Sequence, residues 1–150
     1  MIVSTIRHLK SGFPISLLLL AALGLAGVAI AGIVPAVTNF NVVSNGATSW
    51  VINGVNNPSL TLVRGGSYQF SLQNVAASHP FFINTINTTG TANQYTTGVT
   101  GNGGTGNTVI AFMVPISAPN SLFYNCGNHG SMNGTLTIVN DGIFASGFDQ

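Results

Sequence analysis

The run Phe123-Tyr124-Asn125-Cys126-Gly127-Asn128-His129-Gly130-Ser131-Met132 gathers three soft donors into one short stretch. Cys126 is the only cysteine of the chain, and it shares the stretch with one of three histidines and one of three methionines. A thiolate, an imidazole and a thioether form a mixed N/S ligand set. That set suits copper, which binds thiolate and imidazole strongly and accepts a long, weak thioether contact. One more imidazole completes a trigonal His2Cys site with an axial Met. His79 is the candidate, because His8 sits in the N-terminal segment. Singly, each residue is bland: a lone cysteine is commonly a small buried hydrophobe and a lone methionine core filler. Their order and spacing point to a metal. One cysteine also excludes an internal disulfide, and a lone thiol in an exported chain needs burial, an intermolecular partner or a metal.

The elements that must position these donors read as strands. Thr38 to Val43 alternates, with Phe40 and Val42 on one face, and Trp50 and Ile52 alternate next. Leu60-Thr61-Leu62 leads through the turn signal Arg64-Gly65-Gly66 to Tyr68-Gln69-Phe70-Ser71-Leu72. Phe81-Phe82-Ile83, Val109 to Val114, Ser121 to Tyr124 and Thr135 to Val139 follow. Period-2 alternation broken by Gly, Asn and Pro predicts an all-β sandwich or barrel, with no helix after residue 35. The stretch Asn84 to Asn107 is rich in Asn, Thr and Gly. It reads as a long polar surface loop with one short strand around Tyr95, either a flexible insertion or a partner-contacting flap.

A chain of 150 residues has room for one domain. At the N-terminus, Arg7, His8 and Lys10 precede an uncharged run from Ser11 through Val34. A basic flank, an apolar stretch and a small-x-small site predict an export signal over residues 1–36, cut after Ala31 or, as second choice, Ala36. The alternative is an uncleaved hydrophobic helix anchoring the chain through residues 11–34, since about 20 apolar residues span a bilayer. Either way the domain is expected outside the cytoplasm, periplasmic or extracellular. Residues 37–139 then form the domain and 140–150 a C-terminal tail, with Ile143, Phe144 and Phe148 able to pin it.

Charge excludes several functions. Only five residues are Asp, Glu, Lys or Arg, and beyond residue 35 only Arg64, Asp141 and Asp149 remain. No basic patch for nucleic acid can form, and long-range charge steering of partners is excluded. With Asp141 and Asp149 as the only acids, paired catalytic carboxylates are not expected either.

On these residues the chain resembles the cupredoxins, the small blue copper proteins, over roughly residues 37–139. Pro58 to Gly65 looks like the family's early strand and turn. Ser78-His79-Pro80-Phe81 places a histidine at the head of a strand, where the family has its first ligand. Tyr124-x-Cys126-x2-His129-x2-Met132-x-Gly134 matches the ligand loop, at the short spacing of the amicyanin branch. The resemblance implies a Greek-key β-sandwich holding one copper ion in a type 1 site. Cys126 is then the thiolate, His79 and His129 the imidazoles, and Met132 the weak axial ligand. It implies a one-electron carrier whose redox partner proteins dock transiently near His129. The alternatives are copper storage or delivery, and a cupredoxin-like structural domain at the cell surface. An enzyme is not expected, because copper oxidases of this architecture need further His-rich sites and only two histidines lie beyond the export segment. Two departures stand out. The family commonly has Asn after its first His, where this chain has Pro80. It often has proline beside its second, where this chain has Asn128 and Gly130.

Overall fold

The computed structural model describes residues 36–141. The expectations of an export signal or anchor and of a pinned tail lie outside the described residues. Ten strands run in chain order: β1 Val37–Asn45, β2 Ser49–Ile52, β3 Val55–Asn56, β4 Leu60–Val63, β5 Ser67–Leu72, β6 Phe81–Asn84, β7 Val99–Thr100, β8 Val109–Met113, β9 Ser121–Cys126 and β10 Asn133–Val139. Among the described residues there is no helix. Six strands form one sheet in the order β3-β2-β1-β5-β8-β7, and four form the other in the order β4-β10-β9-β6. Both sheets are mixed, with β1 parallel to β5 and β4 parallel to β10. The chain repeatedly crosses from sheet to sheet, as an all-β sandwich requires.

Alternation decides which side chains fill the space between the sheets. Val42, Trp50, Ile52, Leu62, Phe70, Leu72, Ile110, Phe112, Leu122 and Leu136 are buried there. Phe81 is the hub. Its ring meets Trp50 edge-on at 5.0 Å, Phe70 at 5.4 Å and Tyr124 in a stack at 5.7 Å. Truncating such a residue costs about 3–5 kcal/mol. Register ties this hub to the donors, because Phe81 pairs across the ladder with Cys126. His79 lies two residues before Phe81, and Tyr124 two before Cys126.

The Asn84–Asn107 stretch is hydrogen-bonded to the sheet along β6, and its short strand lies at Val99–Thr100 rather than around Tyr95. Near Tyr95 there is only a single bridge between Gln94 and Asn84. The stretch covers the free edge of β6, all four residues of which are buried. Phe81 N–H donates to Gly104 O at 2.9 Å, Gly103 N–H to Phe81 O at 2.8 Å and Tyr95 N–H to Ile83 O at 2.9 Å. The Asn102 side chain acts as a surrogate strand residue, accepting from Ile83 N–H at 2.7 Å and donating to Ile83 O at 3.1 Å. Covering an edge in this way blocks further strand addition. Glycine is needed at 103, where φ is +82° and a Cβ would lie 2.7 Å from the Phe82 ring.

Arg64, read as part of a turn, fastens the end of the sandwich where β10 finishes. Its guanidinium donates to Ile138 O, Asn140 Oδ1, Ala118 O and Asn120 Oδ1.

Candidate metal centre

β9 ends at Cys126 and β10 begins at Asn133, so the ligand loop is the connection between two paired strands. Two backbone bonds shape it: Cys126 N–H to Met132 O at 2.8 Å, and Met132 N–H to His129 O at 3.2 Å. The first brings Met132 back beside Cys126. The second makes His129–Met132 a tight turn that points His129 towards the same place. The β6–β9 pairing brings in His79, 47 residues before Cys126. Cys126 and Met132 are fully buried, His79 is buried and His129 half-buried.

The three nitrogen and sulfur atoms converge. His79 Nδ1 lies 3.0 Å from His129 Nδ1 and 3.9 Å from Cys126 Sγ, and His129 Nδ1 lies 3.5 Å from Cys126 Sγ. A circle through three atoms so spaced has a radius of about 2.0 Å, against metal–nitrogen bonds of about 2.0–2.1 Å and metal–sulfur bonds of about 2.3 Å for a borderline ion such as zinc. One point therefore lies at bonding distance from all three, and the residues present fit a metal ion. A thiolate and two imidazoles beside a buried methionine, with no carboxylate among them, are the donors that suit copper. Sandwich and ligand cluster together are consistent with a cupredoxin.

No protein-family model matches the chain, and no curated protein matches it. Among solved structures it is similar to a variant of rusticyanin (12% identity, 69% of this chain and 78% of that one, TM-score 0.49). It is also similar to rusticyanin from Thiobacillus ferrooxidans (16%, 69% and 77%, TM-score 0.45). A third is auracyanin A, a "blue" copper protein of Chloroflexus aurantiacus (15%, 69% and 100%, TM-score 0.46). The ligand geometry described above is this chain's own.

The departures from the cupredoxin pattern are answered by other residues. Pro80 has no N–H to offer the ligand loop, but its carbonyl accepts from Gly127 N–H at 2.9 Å. Asn128 reaches back the other way, its side-chain amide donating to Ser78 O at 2.9 Å beside His79. The Asn128 backbone N–H points at Cys126 Sγ, 3.5 Å away. Further bonds hold the loop from outside: Gly90 N–H to Gly127 O at 2.8 Å, Ser131 Oγ to Ala47 O at 2.7 Å and Asn57 Nδ2 to Ser131 O at 2.9 Å. A loop whose composition suggests slack is tied to four neighbouring segments. Burial, and secondarily the adjacent His129 ring, hold the His79 imidazole below its ordinary pKa of 6.5, favouring the neutral form that binds a metal.

Sequence reasoning pointed to the three residues whose donor atoms converge, His79, Cys126 and His129, and missed their supports. Asn57, Asn87 and Asn133 carry no signature, because asparagine in a polar loop reads as solvated. The one available signal was Asn128 itself, lying where a proline is common.

Proposed function

We propose that the domain is an exported mononuclear copper protein that carries single electrons. His79, Cys126 and His129 would hold the ion, with the Met132 thioether as a soft fourth donor. The observation that supports this is the Sγ–Nδ1–Nδ1 triangle, with sides that leave one point at bonding distance from all three atoms. Copper bound there supplies the one-electron chemistry, alternating between Cu(II) and Cu(I). The chain's part is to present the donors and keep them still. Burial of Cys126, Met132 and His79 keeps water from the thiol, and the tied loop fixes His129, so the donors need little rearrangement when the charge of the ion changes.

The half-buried ring of His129 is the natural electron port, and a redox partner docks over it transiently. Arg64 and Asp141 are the only formal charges of residues 36–141. Arg64 is bonded near the end of β10, and the ligand loop lies at its start. The docking face is then neutral, and partner association rates change little with ionic strength. Export by residues 1–36, cleaved or retained as an anchor, delivers the domain to the periplasm or the exterior.

The test is Cu(II) addition to the purified protein. An intense visible thiolate-to-copper band is expected, and Cys126→Ser abolishes it. Copper uptake without colour refutes the reading. Rapid transfer of copper to a chelator, together with slow electron self-exchange, replaces it with storage or delivery.

A further inference from the structure

Four asparagines form a hydrogen-bonded chain from β6 to the ligand loop. Asn84 Nδ2 donates to Thr88 O at 3.1 Å and to Asn125 Oδ1 at 3.3 Å. Asn125 Nδ2 donates to Asn87 Oδ1 at 2.6 Å, and Asn87 Nδ2 to Asn133 Oδ1 at 3.0 Å. Asn133 Nδ2 ends the chain on Gly130 O at 2.7 Å. Its direction is forced, because the carbonyls of Thr88 and Gly130 at its two ends can only accept. The consequence is visible at the start: Asn84 Oδ1, in a fully buried residue, has no partner among the described residues. An orphaned buried acceptor weakens a fold and is rare.

The far end shows what the chain of amides does. Gly130 is the second residue of the His129–Met132 turn. In such a turn the central peptide can flip, exchanging type I for type II. Ser131, which type II would put at positive φ, opposes the flip within the turn, while Gly130 adds no side chain of its own and has open space around it apart from Thr89 at 3.9 Å from a built Cβ. Neither Gly130 nor Ser131 has a positive φ, which excludes type II. We propose that the Asn84–Asn125–Asn87–Asn133 relay is the positioning device of the ligand loop, locking the Gly130 carbonyl and through it the stance of His129 towards Cys126. Asn87 is its middle link and a positioning residue, since it touches none of the donors. This rests on the copper reading only for its spectroscopic readout.

Two variants test it. Asn87→Ala removes the link. Asn87→Asp still accepts from Asn125 but cannot donate to Asn133, and Asn133 cannot turn its amide without setting its oxygen against Gly130 O. The Asn87–Asn133 and Asn133–Gly130 links are exposed, so in both metal-free variants the Met132 amide, which closes the turn, is expected to exchange with deuterium about two- to fivefold faster, while amides of β5 and β8 keep their protection. Copper-loaded, both variants shift the visible band and release copper to a chelator faster by a similar factor. Should Asn87→Ala fail to fold, Asn87→Asp carries the test, because it retains the bond that anchors Asn125. Unchanged Met132 exchange with an unchanged band overturns the proposal, and so does faster exchange spread evenly over the whole domain. A wild-type protein that never colours sinks the copper reading alone, leaving the exchange measurement to decide on the relay.

Discussion

Asn128 touches the site twice, and two substitutions separate the contacts. Asn128→Ala removes only the side-chain bond to Ser78 O. That bond is exposed, so its loss costs about 0.5–1 kcal/mol, a fall of roughly 2–5 °C in Tm for a domain of this size. The reduction potential should hardly move. Asn128→Pro also removes the N–H that faces Cys126 Sγ at 3.5 Å. Asn128 does not have a positive φ, and its N–H joins no strand ladder, so the ring breaks no sheet bond. The thiolate holds more of its negative charge beside Cu(I) than beside Cu(II), so the N–H stabilises the reduced state more. A hydrogen bond to a charged group is worth about 1.5–3 kcal/mol, of which roughly a third is taken here to differ between oxidation states. At 59 mV per tenfold change for one electron, the potential of Asn128→Pro falls by roughly 20–45 mV. Spectroelectrochemical titration of the two copper-loaded variants beside wild type measures this. An equal fall in Asn128→Ala, or a rise in Asn128→Pro, refutes the assignment of the N–H as the tuning group.

Gly134 pairs with Tyr124 across the ladder, and a Cβ there would collide with the Tyr124 ring, which is stacked on Phe81. Gly134→Ala should therefore cost about 1–3 kcal/mol in urea unfolding followed by the fluorescence of Trp50, the only tryptophan; the cost should nearly vanish in a Tyr124→Ala background, and strict additivity would contradict the clash. Tyr124→Phe loses the 2.7 Å bond to Pro58 O and should cost about 1 kcal/mol, read from the same transitions. Gly130→Ala meets open space and an ordinary φ, so it should leave stability unchanged or raise it by up to about 1 kcal/mol through the unfolded chain; a clear loss would mean that the loop needs glycine there. Because His79 is held below its ordinary pKa of 6.5, the unfolded chain takes up its proton first. Its contribution to metal-free stability is full above that value, declines as the pH falls below it, and levels off once the folded protein also protonates. Urea midpoints between pH 8 and pH 4 check the sign, and a midpoint that climbs on acidification contradicts it.

The sequence alone determined what is local. Strand pattern follows from period-2 alternation, a property of neighbouring residues, and the strands containing Phe70, Phe81 and Leu136 stand where their branched and aromatic runs predict. The Cys126–Met132 spacing was equally legible, since a loop that short between two strands has few ways to turn its donors inward. Tertiary structure alone decided how His79 meets the loop, through the pairing of Phe81 with Cys126. It also turned the Asn84–Asn107 stretch from an apparent insertion into the cover of β6 and the source of Asn87. Asn102 and the relay asparagines were illegible for one reason: an amide side chain makes the same bonds to water as to a distant carbonyl. Only the folded chain settles which of the two it meets.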